Sequence, residues 1–128
     1  MEALRIITTD EGIAVTKENQ TKVLYYLFDE YEIHLNIIPP NSIQEWHYHS
    51  NIEEVILVTK GILTCKWIED KKEYTKDIQA NQLVQVKNAI HTFENKSNEE
   101  VTFIAFRLVL DGENKRELIK NDKIIIEK

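Results

Sequence analysis

Apolar and polar residues alternate with a period of two along most of the 128-residue chain, which predicts strands more clearly than helices. The predicted strands are rich in Val, Ile, Tyr, Phe and Thr, residues that suit a half-buried pleated surface. They cover residues 22–28, 31–38, 54–59, 62–69, 83–86, 91–95 and 101–110, with shorter apolar stretches at 4–8 and 123–127. The pattern therefore indicates an all-β protein.

Short polar breaks separate these strands, at residues 39–42, 60–61, 69–72, 87–88 and 95–100. Such spacing is typical of a sandwich or barrel built from hairpins. The longer polar stretch at 111–122 is expected to form a loop or one helical turn. Because no break is long enough to be a linker, we expect one domain over residues 1–128.

The amino-acid composition favours a globular protein and disfavours some classes of binding partner. Hydrophobic residues make up 42% of the chain and charged residues 30%, and no apolar run is long enough to span a bilayer. The N-terminus has an acidic residue at position 2 and no basic stretch before an apolar one, so we expect a cytoplasmic protein. The net charge of −6 disfavours binding to nucleic acid or to anionic membranes.

Histidine spacing predicts a metal site. His47 and His49 stand two apart in an extended segment, so both imidazoles project from the same face. A polar turn then leads to Glu53 and Glu54, either of which could bring a carboxylate beside them. His91, in a later strand, is a candidate fourth ligand. Since Cys65 is the only cysteine, any metal would be held by nitrogen and oxygen atoms.

These two histidine-bearing segments resemble the paired motifs of the cupins, a family of small jelly-roll barrels. The first motif has a glycine, His-x-His, Glu and a second glycine; here its positions hold Asn41, His47, His49, Glu54 and Gly61. The second motif has a glycine, a proline, a glycine, His and Asn; here its positions hold Ala80, Val86, Asn88, His91 and Asn95. The replaced positions serve backbone turns, whereas every coordinating position is retained.

The resemblance implies a jelly-roll β-barrel, or double-stranded β-helix, with one divalent metal on His47, His49, Glu54 and His91. The six-residue interval to Gly61 selects Glu54 over Glu53. Three imidazoles and one carboxylate suit Fe, Mn, Ni, Zn, Co or Cu in the divalent state, which leaves the metal undetermined. The resemblance also implies a small-molecule ligand and a homodimer, in which residues 4–8 and 124–126 are candidates for pairing with a second copy.

Two classes of function follow from this site. One is a metal-dependent enzyme acting on an organic acid, enol or sugar, of the dioxygenase, isomerase, decarboxylase or lyase type. The other is a module that binds or senses a metal or small ligand without turnover. A titratable group near the metal would favour the enzyme, and an entirely apolar pocket would favour the binding module. No catalytic residue is assigned, although Tyr26 and Gln44 are candidates for proton transfer.

Several further residues are expected to form the pocket wall or to lie near it. The pocket candidates are Tyr26, Phe28, Gln44, Ile56, Phe93, Phe103 and Arg107. Arg107 either binds a substrate carboxylate or forms a salt bridge at the rim. His34 is expected to be solvated or hydrogen-bonded and is not counted as a ligand.

Overall fold

The computed structural model describes residues 3–109 and 113–127. Within these segments the chain is mostly β, with one short α-helix and one turn of 3-10 helix at Thr9–Glu11. The elements in chain order are β1 (Ile13–Thr16), β2 (Lys22–Leu27), β3 (Tyr31–Ile38), β4 (Ser42–Ile43), β5 (His47–His49), β6 (Glu53–Lys60), β7 (Leu63–Glu69), β8 (Lys72–Ile78), β9 (Leu83–Val86), β10 (Ile90–Asn95), β11 (Val101–Leu108), α1 (Arg116–Asn121) and β12 (Lys123–Ile125).

The strands form two antiparallel sheets. One has the order β1-β2-β3-β11-β6-β9, and the other has the order β12-β5-β10-β7-β8, with β4 paired to β10. Neighbours that are distant in sequence, such as β3 and β11, show that the chain crosses between sheets rather than forming a simple meander. The predicted all-β jelly-roll fold is confirmed.

The apolar core lies between the inner faces of the two sheets. Phe103 of β11 and Phe93 of β10 meet across this space, with ring centroids 6.0 Å apart. The other buried members of the core are Ile38, Ile56, Val58, Leu63, Cys65, Ile78, Val86, Val101 and Ala105. Burial of this apolar surface supplies the main stabilisation of the fold.

The inner face of the first sheet changes from apolar to charged along its strands. Ile38 and Val101 are paired near one end and are both fully buried. Toward the other end, Arg107 of β11 is paired with Glu32 of β3 on one side and with Glu54 of β6 on the other. This gradient places the charged groups in one half of the barrel.

The predicted strands from residue 22 to residue 108 occur within one or two residues of their expected bounds. Residues 4–8, however, do not form a strand, and the strand expected over 101–110 ends at Leu108 in the described part of the chain. Strands β1, β4 and β8 were not predicted. Strands β1 and β8 lie at sheet edges. Strand β8 is almost entirely exposed and lacks apolar alternation, whereas β1 and β4 have only four and two residues, too few for a clear pattern.

Helix α1 falls within the polar stretch at 111–122, of which residues 111–112 lie outside the described segments. Its Ile119 is fully buried and anchors the helix to the barrel. In the described segments no helix has the length and apolar character needed to cross a membrane.

Candidate metal centre

Three strands bring three histidines and one glutamate together inside the barrel. His47 and His49 project from the same face of β5, and His91 of β10 is paired directly with His47. Glu54, the second residue of β6, reaches them from the opposite sheet. One ligand atom from each side chain lies within 4.8 Å of those from the other three, and all four residues are at most 5% exposed.

The cluster contains buried polar atoms for which residues 3–109 and 113–127 provide no hydrogen-bond partner. His49 Nε2 lies 3.5 Å from Glu54 Oε1, and His91 Nε2 lies 3.8 Å from the same oxygen, which is too far for a hydrogen bond in either case. Buried nitrogens without partners are rare because they forfeit their hydrogen bonds to water. Lone pairs on such nitrogens are suited to a metal ion, so the residues present fit a divalent transition metal.

Backbone carbonyls fix the tautomers of two of the imidazoles. His47 Nδ1 lies 2.9 Å from the carbonyl oxygen of Glu45, and His91 Nδ1 lies 2.9 Å from that of Ala89. A carbonyl only accepts hydrogen bonds, so each Nδ1 carries the proton and donates it. The Nε2 atom of each ring is therefore left with a free lone pair, as metal ligation requires.

Electrostatics favour the ligating forms of Glu54 and His47. Burial alone would raise the pKa of Glu54, but Arg107, His49 and His91 outweigh it and hold the pKa well below its usual range. The Arg107 Nε donates to Glu54 Oε2 at 2.5 Å. Burial, with a contribution from His91, lowers the pKa of His47 to about 3, so this imidazole is neutral near pH 7.

Asp122, which follows α1, holds the turn between β5 and β6. Its carboxylate accepts hydrogen bonds from the backbone N–H groups of Ser50 and Asn51, both at 2.9 Å, and from both side chains. Burial would raise the pKa of Asp122, but these hydrogen bonds lower it below its usual value. The same carboxylate lies 3.8 Å from His49 Nδ1. Asp122 thus fixes the turn that joins two ligand-bearing strands, a role that no local sequence signal indicates.

A cavity of about 600 Å³ adjoins the cluster, with His47 and Glu54 in its wall. Five of the residues expected in the pocket line it, namely Gln44, Ile56, Phe93, Phe103 and Arg107. The structure differs from expectation at Tyr26 and Phe28, because strand alternation turns their neighbours Tyr25 and Leu27 toward the cavity instead.

Strand β3 adds a polar stripe that the sequence analysis did not assign to the pocket. Glu32, His34 and Asn36 alternate along its inner face, and all three are buried and line the cavity. His34 Nε2 lies 2.8 Å from Glu32 Oε1, in agreement with the hydrogen-bonded role expected for this histidine, which lies outside the four-residue cluster. In the sequence, three polar residues at alternate positions with apolar residues between them indicate that one face of this strand is polar, and this pattern could have assigned them to the pocket.

Charged residues from both ends of the chain complete the cavity wall. Lys123 of β12 forms an ion pair with Glu45, which precedes β5. Burial would raise the pKa of Glu45, but the hydrogen bond from Lys123 and other contacts lower it to about 2. Lys17, which follows β1, lines the same cavity, and the C-terminal segment contributes Arg116, Glu117 and Lys120.

Comparisons with known proteins agree with this fold. A family model described as a cupin domain matches residues 34–109. A single-site variant of oxalate decarboxylase from Bacillus subtilis superposes with a TM-score of 0.75 at 12% identity, over 94% of this chain and 32% of its own. Vicilin from hazelnut, Corylus avellana, superposes with a TM-score of 0.72 at 11% sequence identity, and the match covers 84% of this chain and 33% of the vicilin chain.

An oxalate oxidase in complex with the substrate analogue glycolate gives a TM-score of 0.68 at 14% identity, over 83% of this chain and 60% of its own. The chain thus spans about a third of the vicilin and decarboxylase chains. No curated protein sequence matches it significantly. At these identities the structural neighbours establish the fold only.

Proposed function

Since the chain belongs to the cupin family, we propose that it is a mononuclear metalloprotein in which His47, His49, Glu54 and His91 bind one divalent transition metal. The observation that carries this proposal is the convergence of four buried ligand atoms within 4.8 Å, with unpartnered ring nitrogens among them. Ligand atoms that surround one ion at about 2.1 Å lie about 3 to 4 Å apart, so only a small contraction is needed.

The metal that this donor set favours is Fe, Mn, Ni, Zn, Co or Cu. A bound ion of this kind would polarise a substrate oxygen as a Lewis acid. Neighbouring groups keep the ligands in the form that binds a metal. Arg107 keeps Glu54 ionised, and the carbonyls of Glu45 and Ala89 accept hydrogen bonds from Nδ1 of His47 and His91, which leaves both Nε2 atoms free to ligate.

We further propose that the site is catalytic and acts on a small oxygen-rich molecule such as an organic acid, an enol or a sugar. Support comes from the cavity wall, which is not entirely apolar: the titratable residues Tyr25, Glu32 and His34 line the same cavity as His47 and Glu54. Two structural neighbours are named for their action on oxalate, a small organic acid. Dioxygenase, isomerase, decarboxylase and lyase chemistry all fit such a site.

Elemental mass spectrometry tests the metal proposal. The protein is purified without chelator or metal-affinity resin, alongside a His47→Ala/His91→Ala variant and a His34→Ala control. His34 is a matched control because it is a buried histidine of the same cavity that lies outside the four-residue cluster. We expect near-stoichiometric metal in the wild type and in the control, and none in the double variant.

Equal metal content in all three proteins would overturn the proposed ligand set. Absence of metal from the wild type after reconstitution with each candidate ion would overturn the metal proposal itself. If metal is bound, oxygen consumption with an iron-loaded sample is the first activity assay.

We also propose a homodimer. Among the described residues β12 pairs only with β5 and so forms one edge of its sheet, and Ile125 on it is 61% exposed. We propose that a second copy pairs with this edge. Residues 4–8, the other segment expected to pair with a second copy, do not form a strand. Light scattering is expected to give twice the monomer mass, and a monomer at micromolar concentration would contradict the dimer. The cytoplasmic location stays a prediction.

A further inference from the structure

The geometry of the cavity points to a small carboxylate anion as its ligand, bound through Lys17, which lines the cavity together with cations of the C-terminal segment. This inference rests on the proposed function, since the same molecule would reach the metal site with its other oxygen atoms. It goes further by naming a charge class and a recognition residue, neither of which follows from the four metal ligands.

Lys17 is a partly buried cation that forms no ion pair in the described part of the chain, although Glu45 and Glu54 attract it at longer range. It lies immediately after β1, where its backbone N–H donates to the Thr21 carbonyl at 2.9 Å, so the lysine is held by a tight turn. Among the described residues no carboxylate lies within ion-pair distance of its ammonium. Burial, followed by repulsion from Lys123, lowers the pKa of Lys17 to about 8. An ammonium held partly buried beside another cation is destabilised unless an anion joins it.

The charges already present in the cavity do not satisfy Lys17. Five cationic side chains and four carboxylates line the wall. Two of the carboxylates are engaged, because Glu54 is bound by Arg107 and Glu45 is bound by Lys123. The cavity therefore keeps a cationic excess within a protein whose net charge is −6, and a divalent metal would increase that excess.

The cations of the cavity come mainly from outside the segment that the family model matches. Only Arg107 lies within residues 34–109; the other four are Lys17, Arg116, Lys120 and Lys123. The shared domain thus provides the candidate metal ligands, whereas the flanking segments of this chain provide the cationic groups. Anion recognition is accordingly a property of this chain rather than of its domain type.

A carboxylate fits this arrangement better than a phosphate does. Of the three wall cations without an ion pair in the described part of the chain, Arg116 and Lys120 are exposed to solvent, whereas Lys17 is partly buried. Lys17 is a compact point charge that matches a monoanion, and the planar fork of Arg107 is already bound to Glu54. The rest of the wall includes Ile56, Phe93 and Phe103, which suit an apolar body attached to the anionic group. A carboxylic acid with a short hydrophobic or aromatic body matches both features.

Calorimetric titration with matched probes tests the inference. Benzoate and acetate are the carboxylates, benzamide is the uncharged analogue of benzoate, and inorganic phosphate is the competing anion. Wild type is compared with Lys17→Met, which keeps the length of the side chain, with Lys17→Arg, and with Lys72→Met. Lys72 is exposed on β8 and does not line the cavity. Lys72→Met therefore changes the net charge of the protein as Lys17→Met does, but leaves the cavity unaltered.

We expect benzoate to bind the wild type at least about tenfold more tightly than benzamide does, which corresponds to about 1.4 kcal/mol. Lys17→Met is expected to weaken benzoate about tenfold, Lys17→Arg to restore most of the affinity, and Lys72→Met to have no effect. Circular dichroism confirms that each variant is folded.

The titrations are run on metal-loaded and on metal-free protein, with metal content measured on each sample. Loss of benzoate affinity in metal-free Lys17→Met supports the inference even if the metal proposal fails. Equal affinity of wild type and Lys17→Met, equal binding of benzoate and benzamide, or binding of phosphate in place of the carboxylates would overturn it. So would no binding of benzoate or acetate up to about 10 mM.

Discussion

Arg107 and Glu54 are directly paired across β11 and β6, and the guanidinium Nε donates to Glu54 Oε2 at 2.5 Å. The other carboxylate oxygen, Oε1, faces His49 and His91. One carboxylate thus joins the arginine of the cavity wall to the candidate metal ligands. In the absence of metal, Arg107 is its nearest cationic partner.

Arg107→Gln should destabilise the metal-free protein strongly, because Glu54 is 2% exposed and would lose its counterion. Breaking a buried ion pair from one side costs about 3 kcal/mol or more of unfolding free energy. A bound divalent metal should recover much of this loss, since it supplies positive charge to the same carboxylate. Urea denaturation of wild type and variant, with and without Zn²⁺, measures both effects. An unchanged unfolding free energy without metal would contradict this role of Arg107.

Acidification should destabilise the metal-free protein between about pH 6.5 and pH 3. Burial lowers the pKa of His47 to about 3 in the folded state, whereas the unfolded chain protonates this histidine near its ordinary value of 6.5. The unfolded state therefore binds more protons over this range, and stability falls as the pH falls. His34, whose pKa is lowered mainly by burial, acts in the same direction.

To isolate the contribution of His47, the free energy of unfolding is measured against pH in the presence of a chelator, for the wild type and for His47→Gln, and the two slopes are compared. The variant cannot take up this proton, so its slope between pH 7 and pH 5 should be smaller. Identical slopes would show that His47 is not held neutral by the fold.

Asp122→Ala should weaken metal binding although Asp122 is not in the four-residue cluster. The substitution removes the acceptor of the Ser50 and Asn51 hydrogen bonds and the carboxylate that faces His49 Nδ1. Loss of an outer partner of a ligand lowers metal affinity about 10-fold to 100-fold. Competition with a metal chelator measures the affinity. Asp77→Ala is the control, because the Asp77 carboxylate accepts a hydrogen bond from Thr64 and is not part of the four-residue cluster, so its loss should leave the affinity unchanged.

Local pattern was sufficient to predict the half-buried strands and the group of candidate ligands. Strand β3 has the bounds expected from its alternation, and His47 and His49 share a face because side chains alternate along β5. The pairing that brings His91 beside His47 depends on the resemblance, because spacing alone does not determine which strands become neighbours.

The remaining features depend on contacts that local sequence does not encode. Strand β8 reads Lys-Glu-Tyr-Thr-Lys-Asp-Ile and has no apolar face, since it is an exposed edge strand held by its pairing to β7. Tyr25 rather than Tyr26 lines the cavity because the register of β2 against β3 pairs Tyr25 with His34, and so determines which side chains of β2 face inward. Lys17 and Asp122 reach the site from the two ends of the chain, so only the assembled barrel reveals them.

A crystal structure of the metal-loaded protein, with anomalous diffraction at the absorption edge of the bound ion, would locate the metal. We expect one anomalous peak between the two sheets, coordinated by the Nε2 atoms of His47, His49 and His91 and by a carboxylate oxygen of Glu54. No peak at this position, a peak elsewhere, or coordination through the Nδ1 atoms of His47 or His91 would contradict this expectation.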